Sequence, residues 1–214
     1  MKMFSLFDLT GTMAKPWLEA GYECHLFDIQ HPPGMNHRED GMITHRMDLL
    51  NPALEQFDYY ARGNVSFVSC FPPCTDLSVS GARWMKGKGL RALAQAIEFF
   101  ATSADVCERM GAPYLIENPR STISTYWRKH DHSFHPCHYS GYAHGDEFYT
   151  KETNLWVGHG FVMPPRQMIN DLFDEPDKTY IHHQPPGEER ANIRSATPLG
   201  FARAVYLYNS EENR

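Results

Sequence analysis

The chain has 214 residues, a hydrophobic fraction of 42% and a formal net charge of −6. That length fits one compact unit with a real core, and the five cysteines show no paired spacing that would suggest a disulfide framework, which points to a reducing, cytoplasmic setting. No apolar run approaches the roughly 20 residues of a membrane span, the N-terminus MKMFSLFDLT lacks the apolar stretch and cleavage site of a signal peptide, and the acidic balance means that any nucleic-acid contact must be local.

The segment MFSLFDL is a short apolar run ending in a carboxylate, Asp8. Gly11-Thr12 follows as a turn, and MAKPWLEAGY reads as a helix with Gly21 as its C-cap. ECHLFDI is a second strand, again ending in an acid, Asp28. HPPGMNHREDGM reads as loop from its Pro, Gly and charge, and Asp48 in HRMDLL is a third candidate strand-terminal acid. A strand, a Gly turn, a helix, a strand and an acid form the opening of a Rossmann-like unit.

SFVSCF (66–71) is apolar and small, as a buried strand requires, and it stops at Pro72-Pro73. GARWMKGKGLR (81–91), with three glycines and four basic residues, reads as a mobile segment. A long amphipathic helix is predicted over Leu90 to Met110, its inner face made by Ala92, Ala96, Phe99, Phe100, Ser103 and Val106. Tyr114-Leu115-Ile116 is a further strand, ended by Glu117-Asn118-Pro119. Strand and helix alternate throughout this half, which predicts an α/β fold with a mostly parallel sheet and helices on both faces. Residues 128–148 are crowded with His and aromatics, and 157–195 are proline-rich with little periodicity. TPLGFARAVYLYN closes the chain as a helix, with Thr197 as N-cap and Pro198 at the first helical position. No linker divides two core-sized segments, so residues 1–214 read as a single domain.

Two predicted strand ends carry chemistry. Strand 66–71 delivers Pro72-Pro73-Cys74 to the carboxyl edge of the sheet, and strand 114–116 delivers Glu117-Asn118-Pro119 to the same edge, where open α/β sheets bind ligands. Each proline fixes its own φ near −65°, so the thiol and the carboxyl sit on stiff backbone. The pattern suggests a nucleophile and an acid facing one substrate.

On these residues the chain resembles the DNA cytosine-5 methyltransferases. Pro72-Pro73-Cys74-Thr75-Asp76-Leu77-Ser78-Val79-Ser80-Gly81 resembles their catalytic loop, and Leu115-Ile116-Glu117-Asn118-Pro119 their Glu-Asn motif, with Pro119 where Val is usual. Ser5-Leu6-Phe7-Asp8-Leu9-Thr10-Gly11-Thr12 resembles their first, cofactor-binding motif, with Leu9 in place of its first glycine. The resemblance implies a Rossmann-like, S-adenosylmethionine-dependent methyltransferase fold. It implies that Cys74, Glu117 and Asn118 are catalytic, with Cys74 as the thiolate that adds to C6 of cytosine and Glu117 bound to N3 of the base. A cysteine thiol, with an ordinary pKa near 8.5, needs an electropositive or helix-N-terminal setting to ionise at neutral pH.

The resemblance further implies that Phe7, Asp8, Leu9, Thr10, Gly11, Thr12, Asp28, Ile29, Asp48, Pro72 and Ser195 line the cofactor site. Asp28 falls at the ribose acid and Asp48 at the adenine-contacting Asp. Ser195 belongs to Arg194-Ser195-Ala196-Thr197-Pro198, which reads as the family's ninth motif by pattern and its tenth by position. On the substrate side the implied residues are Pro73, Ser78, Arg83, Lys86, Lys88, Lys151 and Thr153. The basic residues would lie on a lid that closes over the substrate and touches phosphate. Lys151 and Thr153 fall in Thr150–Trp156, where the family carries Gln-x-Arg-x-Arg; both arginines are absent here. Cys24, Cys70 and Cys107 read as core, and the spacing of His130, His132, His135, Cys137 and His138 fits no zinc module.

The family's separate target-recognition domain has no counterpart; only 157–193 stands in its place, a reduced insert ahead of the terminal helix. Three outcomes stay open: a short or relaxed DNA target, a partner protein that supplies specificity, or a single-stranded or smaller substrate. The resemblance implies DNA as partner and no membrane. It is to compact forms carried by bacteriophages and prophages, which modify DNA to evade restriction. Two other readings stand beside it: cytosine C5 modification in a nucleotide or RNA, and a catalytically silent module that holds DNA or cofactor.

Overall fold

The computed structural model describes residues 1–50, 52–78, 85–143, 147–169, 175–180 and 196–213. An eight-stranded mixed sheet carries the chain. Its strands are β1 (Lys2–Leu6), β2 (Glu23–Asp28), β3 (Met35–His37), β4 (Ile43–Arg46), β5 (Val65–Cys70), β6 (Tyr114–Asn118), β7 (His132–Phe134) and β8 (Thr153–Gly158). They lie in the order β3-β4-β2-β1-β5-β6-β8-β7. The five central strands, β4 to β6, are parallel; β3, β7 and β8 pair antiparallel at the two edges. The architecture is α/β and compatible with a Rossmann-like fold.

The helices are α1 (Lys15–Glu19), α2 (Glu55–Tyr60), α3 (Met85–Lys88), α4 (Leu90–Met110), α5 (Ile123–Tyr126) and α6 (Leu199–Asn209). Alternation along each strand sends neighbouring side chains to opposite faces. On one face Phe4, Phe27, Val68 and Ile116 pack with Phe57 of α2 and with Ala96, Phe100 and Val106 of α4. On the other face Met3, Leu26, Phe67 and Leu115 pack with Trp17 of α1 and Phe201 of α6. Trp17 stacks on Phe67 at 4.9 Å and meets Tyr22 and Tyr206 edge-on at 5.1 and 5.2 Å. This aromatic group locks α1 and α6 onto the sheet. Among the described residues no helix is long and apolar enough to cross a membrane.

Helix α4 has the predicted bounds. Gly111 ends it in the left-handed conformation (φ 63°) with its N–H on the Cys107 carbonyl, and Pro113 prevents continuation. Four other expectations need correction. The stretch read as loop from 31 to 42 contains β3, which forms a hairpin with β4. Its turn is made by Asp40, whose carboxylate takes Arg38 and the Met42 N–H, and by Gly41 at φ 96°. The first helix is shorter than MAKPWLEAGY, and α2 was not foreseen. Part of the segment read as mobile, Met85–Lys88, is a helical turn.

The fourth correction concerns the terminal helix. Pro198 occupies its N-cap position in extended conformation and the helix begins at Leu199, so Thr197 does not cap it. The carboxylate of Glu147 does so from a distant segment. One oxygen accepts the Leu199 N–H, and the other accepts that of Gly200 at 2.8 Å. A charged acceptor on two orphan N–H groups at the positive end of a helix combines capping with dipole stabilisation. Gly200 has no side chain because a Cβ there would strike the Tyr139 carbonyl.

Glu147→Ala should therefore destabilise the fold by about 1–2 kcal/mol. Urea unfolding measures this, and unchanged stability would show that the cap contributes nothing.

Candidate functional site

Strands β5 and β6 end side by side. Their ladder pairs Val68 with Tyr114, Ser69 with Leu115 and Cys70 with Ile116. Beyond Cys70 the chain continues as Phe71-Pro72-Pro73, and neither proline has an N–H to extend the ladder. Asn118 takes over: its side-chain Nδ2 donates to the Pro72 carbonyl at 3.0 Å. Asn118 is only 1% exposed. Through this bond Asn118 positions the loop, while its own Oδ1 is buried with no hydrogen-bond partner among the described residues.

Cys74 follows two residues later and is half-buried, while Pro73 beside it is exposed. The Cys74 carbonyl accepts the N–H groups of Leu77 and Ser78 at 3.1 and 2.8 Å, so the chain turns tightly just after Cys74. Leu77 is buried, and Ser78 forms a bridge with Ser121 beyond β6. The loop is thus tied to β6 before Cys74 and to the segment beyond β6 after it. Residues 79–84, including Arg83, lie outside the described residues, as do Arg194 and Ser195; of Lys86 only its backbone in α3 is described. Lys88 is exposed and pairs with Asp76, inside the same loop.

Glu117 lies in a narrow cleft lined by Phe71, Phe134, Lys151, Thr153, Thr197 and Phe201. The antiparallel pairing of β6 with β8 brings Lys151 and Thr153 there. Burial raises the Glu117 pKa above the ordinary carboxylate value, and the charge of Lys151 pulls it partly back. Sequence reasoning thus found Glu117, Lys151 and Thr153. It missed Phe134 and Phe201, whose rings stack at 4.0 Å beside the cleft, because only tertiary packing brings them there.

The predicted cofactor residues divide into three groups. Asp8 is buried and engaged by its own loop. It accepts Ser5 Oγ at 2.7 Å on one oxygen, and on the other Thr10 N–H (2.9 Å), Thr10 Oγ1 (3.1 Å) and Gly11 N–H (2.7 Å). Its part is to shape the turn, as an Asx-turn residue does. Gly11, at φ 79°, is required twice: by its conformation, and because a Cβ would strike Met42 Sδ. Phe7 also has positive φ (55°) and packs edge-on against Phe99 at 5.5 Å, and Leu9, two residues on, is half-buried. Thr10 and Thr12 share a hydroxyl contact at 3.2 Å.

The second group is Asp28 and Ile29, at the end of β2. Asp28 is buried and accepts the Gln30 N–H at 2.8 Å on one oxygen, leaving the other uncommitted among the described residues. Ile29 beside it is 51% exposed. A carboxylate oxygen with no protein donor among the described residues, beside an exposed apolar side chain, has the chemistry to accept a ribose hydroxyl. Asp48 forms the third group. It lies beyond β4, is exposed, and bonds the Leu50 N–H at 2.9 Å. It lines a different cavity, with His45, Met47 and Tyr60.

The histidine-rich stretch is absorbed by the fold. His138 Nδ1 accepts the His135 N–H at 3.2 Å, His130 meets Ser124 Oγ at 3.3 Å, and Cys137 is buried. Among the described residues no three His, Cys, Asp or Glu side chains are grouped to hold a metal ion.

No protein-family model and no curated protein matches the chain.

The raised Glu117 pKa has a consequence for stability. The folded state holds this proton to higher pH than the unfolded chain, so the penalty of a buried charge grows as pH rises above about the ordinary value of 4.5. Glu117→Gln should therefore be at least as stable as the parent at pH 7.5, and that advantage should vanish near pH 4. Paired urea titrations measure it; a variant less stable at pH 7.5 than at pH 4, relative to the parent, would contradict the assignment.

Proposed function

We propose that the protein transfers a methyl group from S-adenosylmethionine to C5 of cytosine in DNA through a covalent bond between Cys74 and C6. The observation that carries this reading is the coupling of the two strand ends. A half-buried thiol in the loop that leaves β5 and a carboxyl with a raised pKa on the neighbouring parallel strand β6 are fastened together by the Asn118–Pro72 bond.

The Cys74 thiolate forms a C–S bond to C6, and the electrons of the C5–C6 double bond move onto C5. Glu117, held toward its neutral form by burial, gives its proton to N3 as density builds there. Lys151 and Thr153 line the same cleft and stand in for the family's absent arginines. S-adenosylmethionine, held by Asp28, Ile29 and the loop that Asp8 and Gly11 shape, would supply the electrophilic methyl group that C5 takes. A base then removes the C5 proton, the C–S bond breaks so that Cys74 leaves as the thiolate, and N3 returns its proton to the Glu117 carboxylate. Because a base inside a duplex is out of reach, the target cytosine must be unstacked or single-stranded.

Incubating the protein with a cytosine-containing oligonucleotide and a methyl-labelled donor should label DNA, and bisulfite sequencing should place the label at cytosine. Cys74→Ser should be inactive, and Glu117→Gln should be slower by about 10²–10⁴. The parent rate should fall as pH rises through the Glu117 pKa, and Glu117→Gln should lose that limb. Labelling of dCMP or RNA in preference to DNA, or activity in Cys74→Ser, would overturn the reading.

A further inference from the structure

The chain just beyond β6 and the Cys74 loop presents two large aromatic side chains to water. Tyr126, the last residue of α5, is 77% exposed, and Trp127 after it is 50% exposed. Fully burying a large apolar side chain is favourable by about 1.5–3 kcal/mol, so adjacent exposed rings call for a partner. Trp127 is held in place. It meets Phe100 of α4 edge-on at 5.9 Å, and the Arg128 guanidinium lies 4.8 Å from its ring centre.

This segment is joined to the Cys74 loop at two points. Ser78 bridges Ser121, and the Thr122 N–H donates to the Leu77 carbonyl at 3.2 Å. The charges around it are mostly positive. Arg128 is paired with Asp131 at 2.6 Å, whereas exposed Arg120 and Lys129 make no ion pair among the described residues. Aromatic rings interleaved with unpaired cations match a polyanion whose repeating units carry flat faces. In a duplex those faces are already stacked; in a single strand they are available.

We infer that Tyr126 and Trp127 form a stacking platform for bases of single-stranded DNA adjoining the target cytosine, with Arg120 and Lys129 on its phosphates. The choice of DNA rests on the proposed methyl transfer; the stacking itself does not. The platform supplies strand contacts without a recognition domain, and it favours neighbouring bases by their faces and not by their hydrogen-bonding edges.

The test uses the full chain and oligonucleotides without cytosine, so that binding is independent of the reaction. Thymidine 16-mer DNA should bind and quench tryptophan fluorescence, and it should bind more tightly than a 16-base-pair duplex or a uridine 16-mer. Tyr126→Ala should weaken binding by about tenfold. Trp127→Phe, which keeps the packing on Phe100, should retain binding and lose most of the quench. Lys129→Gln should reduce the slope of log K against log salt by about 0.7. Unchanged binding in Tyr126→Ala, or tighter binding of the duplex or the RNA, would overturn the platform. Methyl transfer that survives such a result would leave the proposed reaction standing, and binding that passes every arm without methyl transfer would leave only the platform.

Discussion

One hydrogen bond holds the arrangement around Cys74 and Glu117 together. Two consecutive prolines end the pairing of β5 with β6, because neither offers an N–H to the neighbouring strand, and their carbonyls still need donors. The side chain of Asn118 supplies a donor and bonds the Pro72 carbonyl within the buried layer. A neutral amide bond of this kind contributes only about 1 kcal/mol net, yet leaving the buried groups unpaired costs more. Its chief effect is geometric. It fixes the start of the Cys74 loop to the strand that carries Glu117, and the Ser78–Ser121 bridge fixes the end of the loop.

A similar use of side chains in place of regular backbone recurs elsewhere. Asp8 gathers two N–H groups and two hydroxyls into the turn after β1, and Glu147 caps the part-buried N-terminus of α6. Both carboxylates are engaged by the fold. Asp28 differs, because one of its oxygens faces no protein donor among the described residues and an exposed Ile29 adjoins it. Residue type alone did not separate these acids. Asp8 and Asp28 stand at the ends of neighbouring strands in near-identical local patterns, and only the count of surrounding donors distinguishes them.

The central strands were legible because each is a short apolar run closed by a turn signal, and α4 because its inner face repeats at helical spacing over 21 residues. The hairpin of β3 and β4 was not legible. Its strands are three and four residues long and sit among Pro, Gly and charge, so the loop signal dominated. Helix α2 is only six residues long. Of the candidate site, the Cys74 loop and Glu117 could be read from sequence. The cleft around Glu117 was legible only at Lys151 and Thr153; Phe134 and Phe201 come from segments that only the sheet edge and α6 bring to it. The net charge of −6 says nothing of local charge: Arg120, just beyond β6, and Lys129, after α5, both stand exposed.

The central claim is that the thiol beyond β5 and the carboxyl at the end of β6 act on one cytosine. It is tested most directly with DNA containing 5-fluorocytosine, whose C5 fluorine cannot leave as a proton and so arrests the reaction with the C–S bond intact. Incubation with S-adenosylmethionine, followed by proteolysis and mass spectrometry, should yield a peptide bearing the oligonucleotide on Cys74. An uncrosslinked protein, or a crosslink on any other residue, would contradict the account.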